Sequence, residues 1–239
     1  VSERGQQLDP AFVLHRRPYG ETSLIVDLFT LHHGHFSAVA RGAARPRSQW
    51  QAELQPFRPL RTSWSGRQSL RTLRHAEATA PALALSGDRL YCGFYLNELL
   101  LRLLTEADPA PDLFSVYLDT LEQLAGGSAA LEPTLRRFEY RLAGELGYGI
   151  SWDRTGDTGD PVQPDRVYAF HPAQGVLADG HGPVGGISGE HLLALAADEL
   201  DNQAVLKVAK RLMRSLVDHL LQGRPLHSRR LFARQGRSE

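Results

Sequence analysis

The first eighty residues alternate on a period of two. Phe12–His15, Ser23–Phe29 and Phe36–Arg41 are short segments rich in β-branched and aromatic residues. The turn formers Arg17-Pro18-Tyr19-Gly20 and His32-His33-Gly34 separate them. Within the second segment Leu24, Val26 and Leu28 fall on one face, and Ile25, Asp27 and Phe29 on the other. Leu60–Trp64 and Ser69–Glu77, joined by Ser65-Gly66-Arg67-Gln68, are two further strands. Five short strands so close together predict a small closed barrel, and the OB-fold is the common architecture of that strand count. The stretch 42–51, with Arg45, Pro46 and Arg47, interrupts the third and fourth strands.

After Pro81 the period becomes helical. Leu90, Phe94, Tyr95, Leu99, Leu103 and Leu104 recur at helical spacing, as do Leu113, Tyr117, Leu121 and Leu124. Pro111 precedes the second helix and Gly126-Gly127 ends it. A third helix starts near Pro133 and runs to Gly147. A Gly/Asp/Pro-rich stretch, 149–164, leads to strands around Val167–Phe170 and Gly175–Ala178. Gly185-Gly186-Ile187-Ser188-Gly189 then reads as a turn, with Ser188 capping a helix through Leu192, Leu193 and Leu195. The last helix, near Gln203 to Gln222, has an apolar face from Val205 to Leu220 and is stopped by Gly223 and Pro225. Lys207, Lys210, Arg211 and Arg214 share its opposite face. The fold class is α+β and multidomain. Residues 1–80 form an OB-fold domain, and residues 81–239 a mostly helical domain with a loop and strand insertion near 149–188.

Composition excludes several classes. Hydrophobic residues make up 42% and charged residues 23%, as in an ordinary globular chain. No apolar run approaches the roughly 18 residues needed to span a bilayer, and Val1–Pro10 lacks a signal-peptide core. A soluble cytoplasmic protein is expected, with no membrane partner. Cys92 is the single cysteine, so an intramolecular disulfide or a thiolate metal cluster cannot form.

Charge changes the picture more. The formal net charge of zero conceals a segregation along the chain. Residues 1–80 carry eleven Arg/Lys against six Asp/Glu, residues 81–205 seven against nineteen, and residues 206–239 nine against two. Basic ends around an acidic middle are the footprint of a polyanion-binding protein. Arg41, Arg45 and Arg47 surround a Gly/Ala/Pro-rich loop, and Arg58, Arg61, Arg67, Arg71 and Arg74 lie on or beside the last two strands. Trp50, Phe57 and Trp64 are interleaved with them, either as barrel core or as stacking platforms for bases. The basic stripe of the last helix is extended by Arg224, His227, Arg229, Arg230, Arg234 and Arg237.

Catalysis finds little support. No phosphate-cradling loop ending in Lys-Ser/Thr occurs, and Glu190 occupies the last glycine position that a nucleophile elbow at Gly186-Ile187-Ser188 would need. His32, His33 and His35 fit a polar hairpin turn better than a metal site. Asp153, Asp157, Asp160 and Asp165 lack the spacing of a calcium loop and read as a solvated acidic loop. Arg136 and Arg137 in the third helix have two readings: a clamp for a partner's carboxylate beside an apolar pocket, or internal ion pairs with Glu139, Glu132 or the acidic loop.

Several ordered stretches resemble the bacterial RecO family of recombination mediators. They are Ala11-Phe12-Val13-Leu14-His15-Arg16-Arg17-Pro18-Tyr19-Gly20-Glu21-Thr22-Ser23-Leu24, Val39-Ala40-Arg41-Gly42-Ala43, Leu54-Gln55-Pro56-Phe57, Tyr95-Leu96-Asn97-Glu98-Leu99-Leu100, Leu135-Arg136-Arg137-Phe138-Glu139, Leu146-Gly147-Tyr148-Gly149 and Ser228-Arg229-Arg230-Leu231-Phe232. The similarity is greatest to the gamma-proteobacterial branch. It implies a non-enzymatic, cytoplasmic and nucleoid-associated protein that binds single- and double-stranded DNA and anneals complementary strands. It also implies binding to the acidic C-terminal tail of single-stranded DNA-binding protein (SSB) and, with RecR, loading of RecA onto SSB-coated DNA. Arg41–Arg47 matches the family's basic barrel loop, and Arg136 and Arg137 lie in the motif near which the SSB tail is expected to dock. Many relatives carry a four-cysteine zinc site after the Gly-Tyr-Gly-like motif. The corresponding stretch here, 150–166, has no cysteine, so neither zinc nor any other cofactor is expected. The reading from another class is an OB-fold RNA-binding or translation-associated module, and a metal-dependent hydrolase is more distant.

Overall fold

The computed structural model describes residues 8–67, 69–178 and 180–229. They fall into two compact units, one of residues up to Gly127 together with the stretch from Leu226, the other Ser128–Pro225. The change from strand to helix period near residue 80 therefore lies inside the first unit.

That unit begins with strands β1 (Asp9–Tyr19), β2 (Ser23–Thr30) and β3 (Gly34–Ala40), then the short helix α1 (Gln49–Glu53), then β4 (Leu60–Ser65) and β5 (Leu70–Ala78). The strands close into a barrel in the order β1-β2-β3-β5-β4, with β3 and β5 parallel and the other pairs antiparallel. This is the OB topology that the strand count predicts. The alternation in β2 sorts as expected. Val26 and Leu28 enter the barrel interior with Val13, Phe36, Ala38, Leu60 and Leu73, and Leu24 packs at its margin. Phe29 faces outward against a helix. Asp27, also outward, is buried, which alone would raise its carboxyl pKa. Hydrogen bonds from His15 and Ser37 and the charge of Arg17 outweigh burial and hold it below the ordinary value. Helix α1 is absent from the sequence-based expectation, because five residues are too few for a helical period to register.

Helices α2 (Gly87–Leu103) and α3 (Pro111–Gly126) complete the first unit. Pro111 opens α3, and Gly127 ends it in the left-handed conformation at φ 76°. Phe114 and Tyr117 of α3 meet Phe12 and Phe29 at ring-centroid separations of 5.2 to 6.1 Å. A bulge in β1 between Val13 and His15 takes Leu14 out of the ladder. Its carbonyl accepts from Asn97 Nδ2 at 2.9 Å, and Asn97 Oδ1 accepts from the Tyr117 hydroxyl at 2.6 Å. All of these atoms are buried, so the bulge, α2 and α3 share one satisfied polar chain. Gly34 is required where the loop after α2 crosses the barrel: a Cβ there would lie 2.0 Å from the Asp108 carbonyl oxygen.

The second unit contains α4 (Leu131–Glu145), a three-stranded sheet of β6 (Val167–His171), β7 (Gly175–Leu177) and β8 (Val184–Ser188), then α5 (Gly189–Ala196) and α6 (Gln203–Leu220). Strand β8 corrects the expected turn at Gly185–Gly189. Pairing of Ile187 with Tyr168 buries that side chain, and the sheet overrides the local preference of two exposed glycines. Ser188 does precede α5, but its side chain makes no capping hydrogen bond. On α6, Leu212, Met213 and Leu216 pack with Trp152, Tyr168, Phe170 and Ile187 in one core. The cysteine-free acidic stretch is built into this unit. Trp152 and Val162 are buried, Arg154 bridges to Pro161, and Asp157 accepts from the Ala178 amide. Among the described residues no helix is long and apolar enough to cross a membrane.

Replacing Asn97 with Ala would remove the donor to the Leu14 carbonyl and the acceptor at which the Tyr117 hydroxyl donates. A loss of about 1–3 kcal/mol in urea-denaturation stability is expected, with the chain still folded. An unchanged midpoint would show that this chain of hydrogen bonds contributes nothing.

Candidate nucleic-acid interface

The parallel register sets Val39 beside Thr72 and Ala38 beside Arg71, while the antiparallel register sets Leu24 beside Ala40. The β1–β2 turn, the chain leaving β3 and the start of β5 thus converge at one end of the barrel. There they form a groove of about 460 Å³ lined by Tyr19, Thr22, Ser23, Val39, Arg41, Gly42, Arg45, Leu70, Arg71 and Thr72. Its lining holds three arginines and several hydroxyls but no carboxylate. Its charge is complementary to a polyanion, and the β1–β2 turn and the start of β5 adjoin the loops by which OB-folds hold oligonucleotides.

The expected arginines divide into distinct groups. Arg41, Arg45 and Arg47 are exposed on the loop from β3 to α1, and the first two line the groove. Arg47 stands outside its lining, in a left-handed turn at φ 61°. Arg71 is half-buried, its guanidinium 3.9 Å from the centroid of the Phe36 ring, and burial lowers its pKa against the opposing pull of Glu106. Arg74 donates to Ser65 Oγ at 2.7 Å, and Arg61 is exposed opposite Glu77 in the β4–β5 ladder. Arg67 is exposed in the β4–β5 connection.

Of the aromatics interleaved with them, Phe57 is buried against Phe94, Trp64 packs on Phe36 and His33, and Trp50 sits at the margin of the core. They serve the packing. His32 and His33 both place Nδ1 against the buried Asp9 carboxylate, at 2.6 and 2.8 Å. Among the described residues no group of three His, Cys, Asp or Glu side chains could hold a metal. Sequence reasoning missed Tyr19, Thr22, Ser23 and Leu70 as groove residues. Pro18-Tyr19-Gly20 looks like turn chemistry alone, and the pairing that brings Leu70 beside it is non-local.

Within the second unit, a cavity of about 560 Å³ is lined by Arg136, Arg137, Arg141, Ile150, Trp152 and Met213, among others. Arg136 pairs with Glu139 at 2.9 Å, and both side chains are nearly inaccessible. Arg137 pairs with exposed Asp198 at 2.8 Å. Of the internal partners expected from the sequence only Glu139 is used among the described residues, by Arg136; Arg137 instead pairs with Asp198, and Glu132 is taken by Lys210. On α6, Lys207, Lys210, Arg211 and Arg214 are all exposed on one face. Lys210 contacts Glu132, Arg211 donates to the Gly185 carbonyl at 3.0 Å, and Arg214 lies 4.0 Å from Asp218. These partners reduce the stripe's net field. Arg224 and Arg229 belong to the described chain, whereas Arg230, Arg234 and Arg237 lie outside the described residues.

Comparison with known proteins agrees with this architecture. A family model described as Recombination protein O N terminal matches residues 6–82, and Recombination protein O C terminal matches residues 84–230. A protein named DNA repair protein RecO from Marinobacter nauticus is 50% identical over 231 residues, covering 95% of this chain and 94% of that protein. Proteins of the same name from Methylococcus capsulatus and Thiobacillus denitrificans are 46% and 42% identical, each covering 94% of this chain and 92% and 90% of their own lengths.

If the groove holds phosphates, Arg41→Ala with Arg45→Ala should lower oligonucleotide affinity and reduce the slope of log affinity against log salt by about 1.4, at roughly 0.7 per single-strand phosphate contact. A titration at four salt concentrations checks this. An unchanged slope would remove both arginines from the interface.

Proposed function

This chain belongs to the RecO family of DNA repair proteins, and from that membership we propose that it works as a recombination mediator and not as an enzyme. It binds single- and double-stranded DNA, anneals complementary strands and, with RecR, promotes RecA loading onto SSB-coated single strands. The observation that carries this reading is the groove at the barrel end, cationic and free of carboxylates in its lining. Guanidinium groups on a loop meet phosphate oxygens without reading base edges, which suits a protein that must act on any sequence. Annealing requires the repulsion between two phosphate backbones to be neutralised, and Arg61, Arg67, Arg71 and Arg74 add to the charge supplied by Arg41, Arg45 and Arg47. Lys207, Lys210, Arg211 and Arg214 provide a second, weaker basic surface.

The SSB tail is assigned to the cavity beside α4. Tail carboxylates meet Arg137 and Arg141 at its rim, and an apolar tail residue enters between Ile150, Trp152 and Met213. Arg137 can exchange Asp198 for a partner carboxylate at little cost, because an exposed ion pair contributes only about 0–1 kcal/mol. Arg136 is held differently. Its pair with the buried Glu139 ties it into α4, so Arg136 shapes the site and Arg137 is the residue available to bind.

The test is annealing of two complementary oligonucleotides pre-coated with SSB, with and without the SSB acidic tail. The chain should accelerate annealing with intact SSB, lose the effect when the tail is absent, and lose about tenfold with Arg137→Ala, the cost of one charge-assisted hydrogen bond. No acceleration with either SSB would favour the OB-fold RNA-binding module, for which tighter binding of structured RNA than of DNA would be the signature.

A further inference from the structure

We propose that Tyr19 is a base-stacking residue, offering its ring to an unpaired base of a single strand whose phosphates lie against Arg41 and Arg45. This rests on the nucleic-acid reading of the groove and adds to it a source of discrimination between single strands and duplex.

Five large hydrophobic side chains are exposed among the described residues: Tyr19, Leu70, Tyr140, Tyr148 and Val167. Single exposed apolar residues are ordinary, but two of these, Tyr19 at 48% and Leu70 at 38%, line the same small groove as Arg41 and Arg45. Other aromatics of the barrel are committed elsewhere. Phe12, Phe29 and Phe36 are fully buried, and Trp64 is locked between Phe36 and His33. The Tyr19 side chain, by contrast, makes no hydrogen bond, ion pair or ring contact among the described residues, so its ring and hydroxyl are open to a ligand.

Its backbone is nevertheless fixed. Tyr19 is the last residue of β1 and pairs with Ser23, with Pro18 restricting the chain before it and Gly20 turning at φ 60° after it. No backbone ordering is therefore needed to present the ring, which lowers the entropic cost of stacking. Leu70 supplies an apolar neighbour for the edge of a stacked base. Tyrosine and arginine also favour protein interfaces, but two apolar side chains are too little for the desolvated centre of such an interface, and an acid-free lining selects a polyanion. A base in a duplex is already stacked on both faces, so only an unpaired base can accept the ring. Tyr19 then contributes to single-strand affinity alone, while the arginines serve both forms.

The experiment measures affinity of the full chain for an oligo-dT and for a duplex of equal length, each at four salt concentrations, with Tyr19→Ala and Tyr19→Phe. Tyr19→Ala should weaken oligo-dT binding about tenfold, as expected for loss of one stacked base, with the duplex affinity, salt slope and thermal midpoint unchanged. Tyr19→Phe keeps the ring and should bind as the parent does. Equal losses on both DNA forms, or no loss on oligo-dT, would overturn the proposal. The Arg41/Arg45 variant separates the two levels. A reduced salt slope there, with an inert Tyr19→Ala, leaves the groove a phosphate site without stacking, whereas an unchanged slope removes the groove itself.

Discussion

The parallel pairing of β3 with β5 is the constraint on which the barrel and its groove depend. Three positions, Ser37 with Leu70, Ala38 with Arg71 and Val39 with Thr72, suffice to close the sheet. Parallel neighbours cannot be joined by a tight turn, so the chain must leave β3, pass through α1 and β4, and return. The loop bearing Arg41, Arg45 and Arg47 is the first part of that detour. Closure thus places the basic loop at the barrel end, beside the β1–β2 turn and the start of β5. The charge is local to the loop, but its location follows from the topology.

Around this barrel, two adjacent polar residues of α2 organise the fold. Asn97 is buried and Glu98 lies beside it, and both are organisers. Asn97 links the bulge in β1 to Tyr117, as described above. Glu98 accepts hydrogen bonds from the His227 and Ser228 amides and from Ser228 Oγ, at 2.6 to 2.9 Å, and pairs with Arg102. Burial would raise its carboxyl pKa, yet the contacts from Ser228 and His227 and the charge of Arg102 bring it below the ordinary value. A single carboxylate on α2 therefore receives the chain after α6, which explains why residues from Leu226 belong to the compact unit of the barrel. In the other unit, a cysteine-free stretch keeps its form through Trp152 and Val162 in the core and hydrogen bonds around Thr155, Thr158 and Asp160.

Much of the fold was legible because its signals are periodic. The face-splitting of Leu24, Val26 and Leu28 against Phe29, the Pro111 start and Gly127 stop of α3, and the apolar face of α6 all depend on neighbours in sequence. What escaped detection depends on pairing across the chain. Strand β8 contains two glycines and pairs with β6 although β7 intervenes in the chain; α1 is one turn long. At the site, the basic loop was readable from composition, whereas Tyr19 and Leu70 were not. Neither residue type implies a ligand, and only closure of the barrel sets them beside Arg41 and Arg45. The charge count of the last segment likewise overstated α6, because Lys210 meets Glu132, which lies outside that segment, once the chain is folded.

The most direct test of the central claim is amide hydrogen exchange of the full chain with and without a saturating oligo-dT. If the barrel end holds the strand, protection should concentrate in three segments: Tyr19–Ser23, Arg41–Ser48 and Leu70–Thr72. Protection limited to α6, with those segments exchanging as in the free protein, would contradict the account.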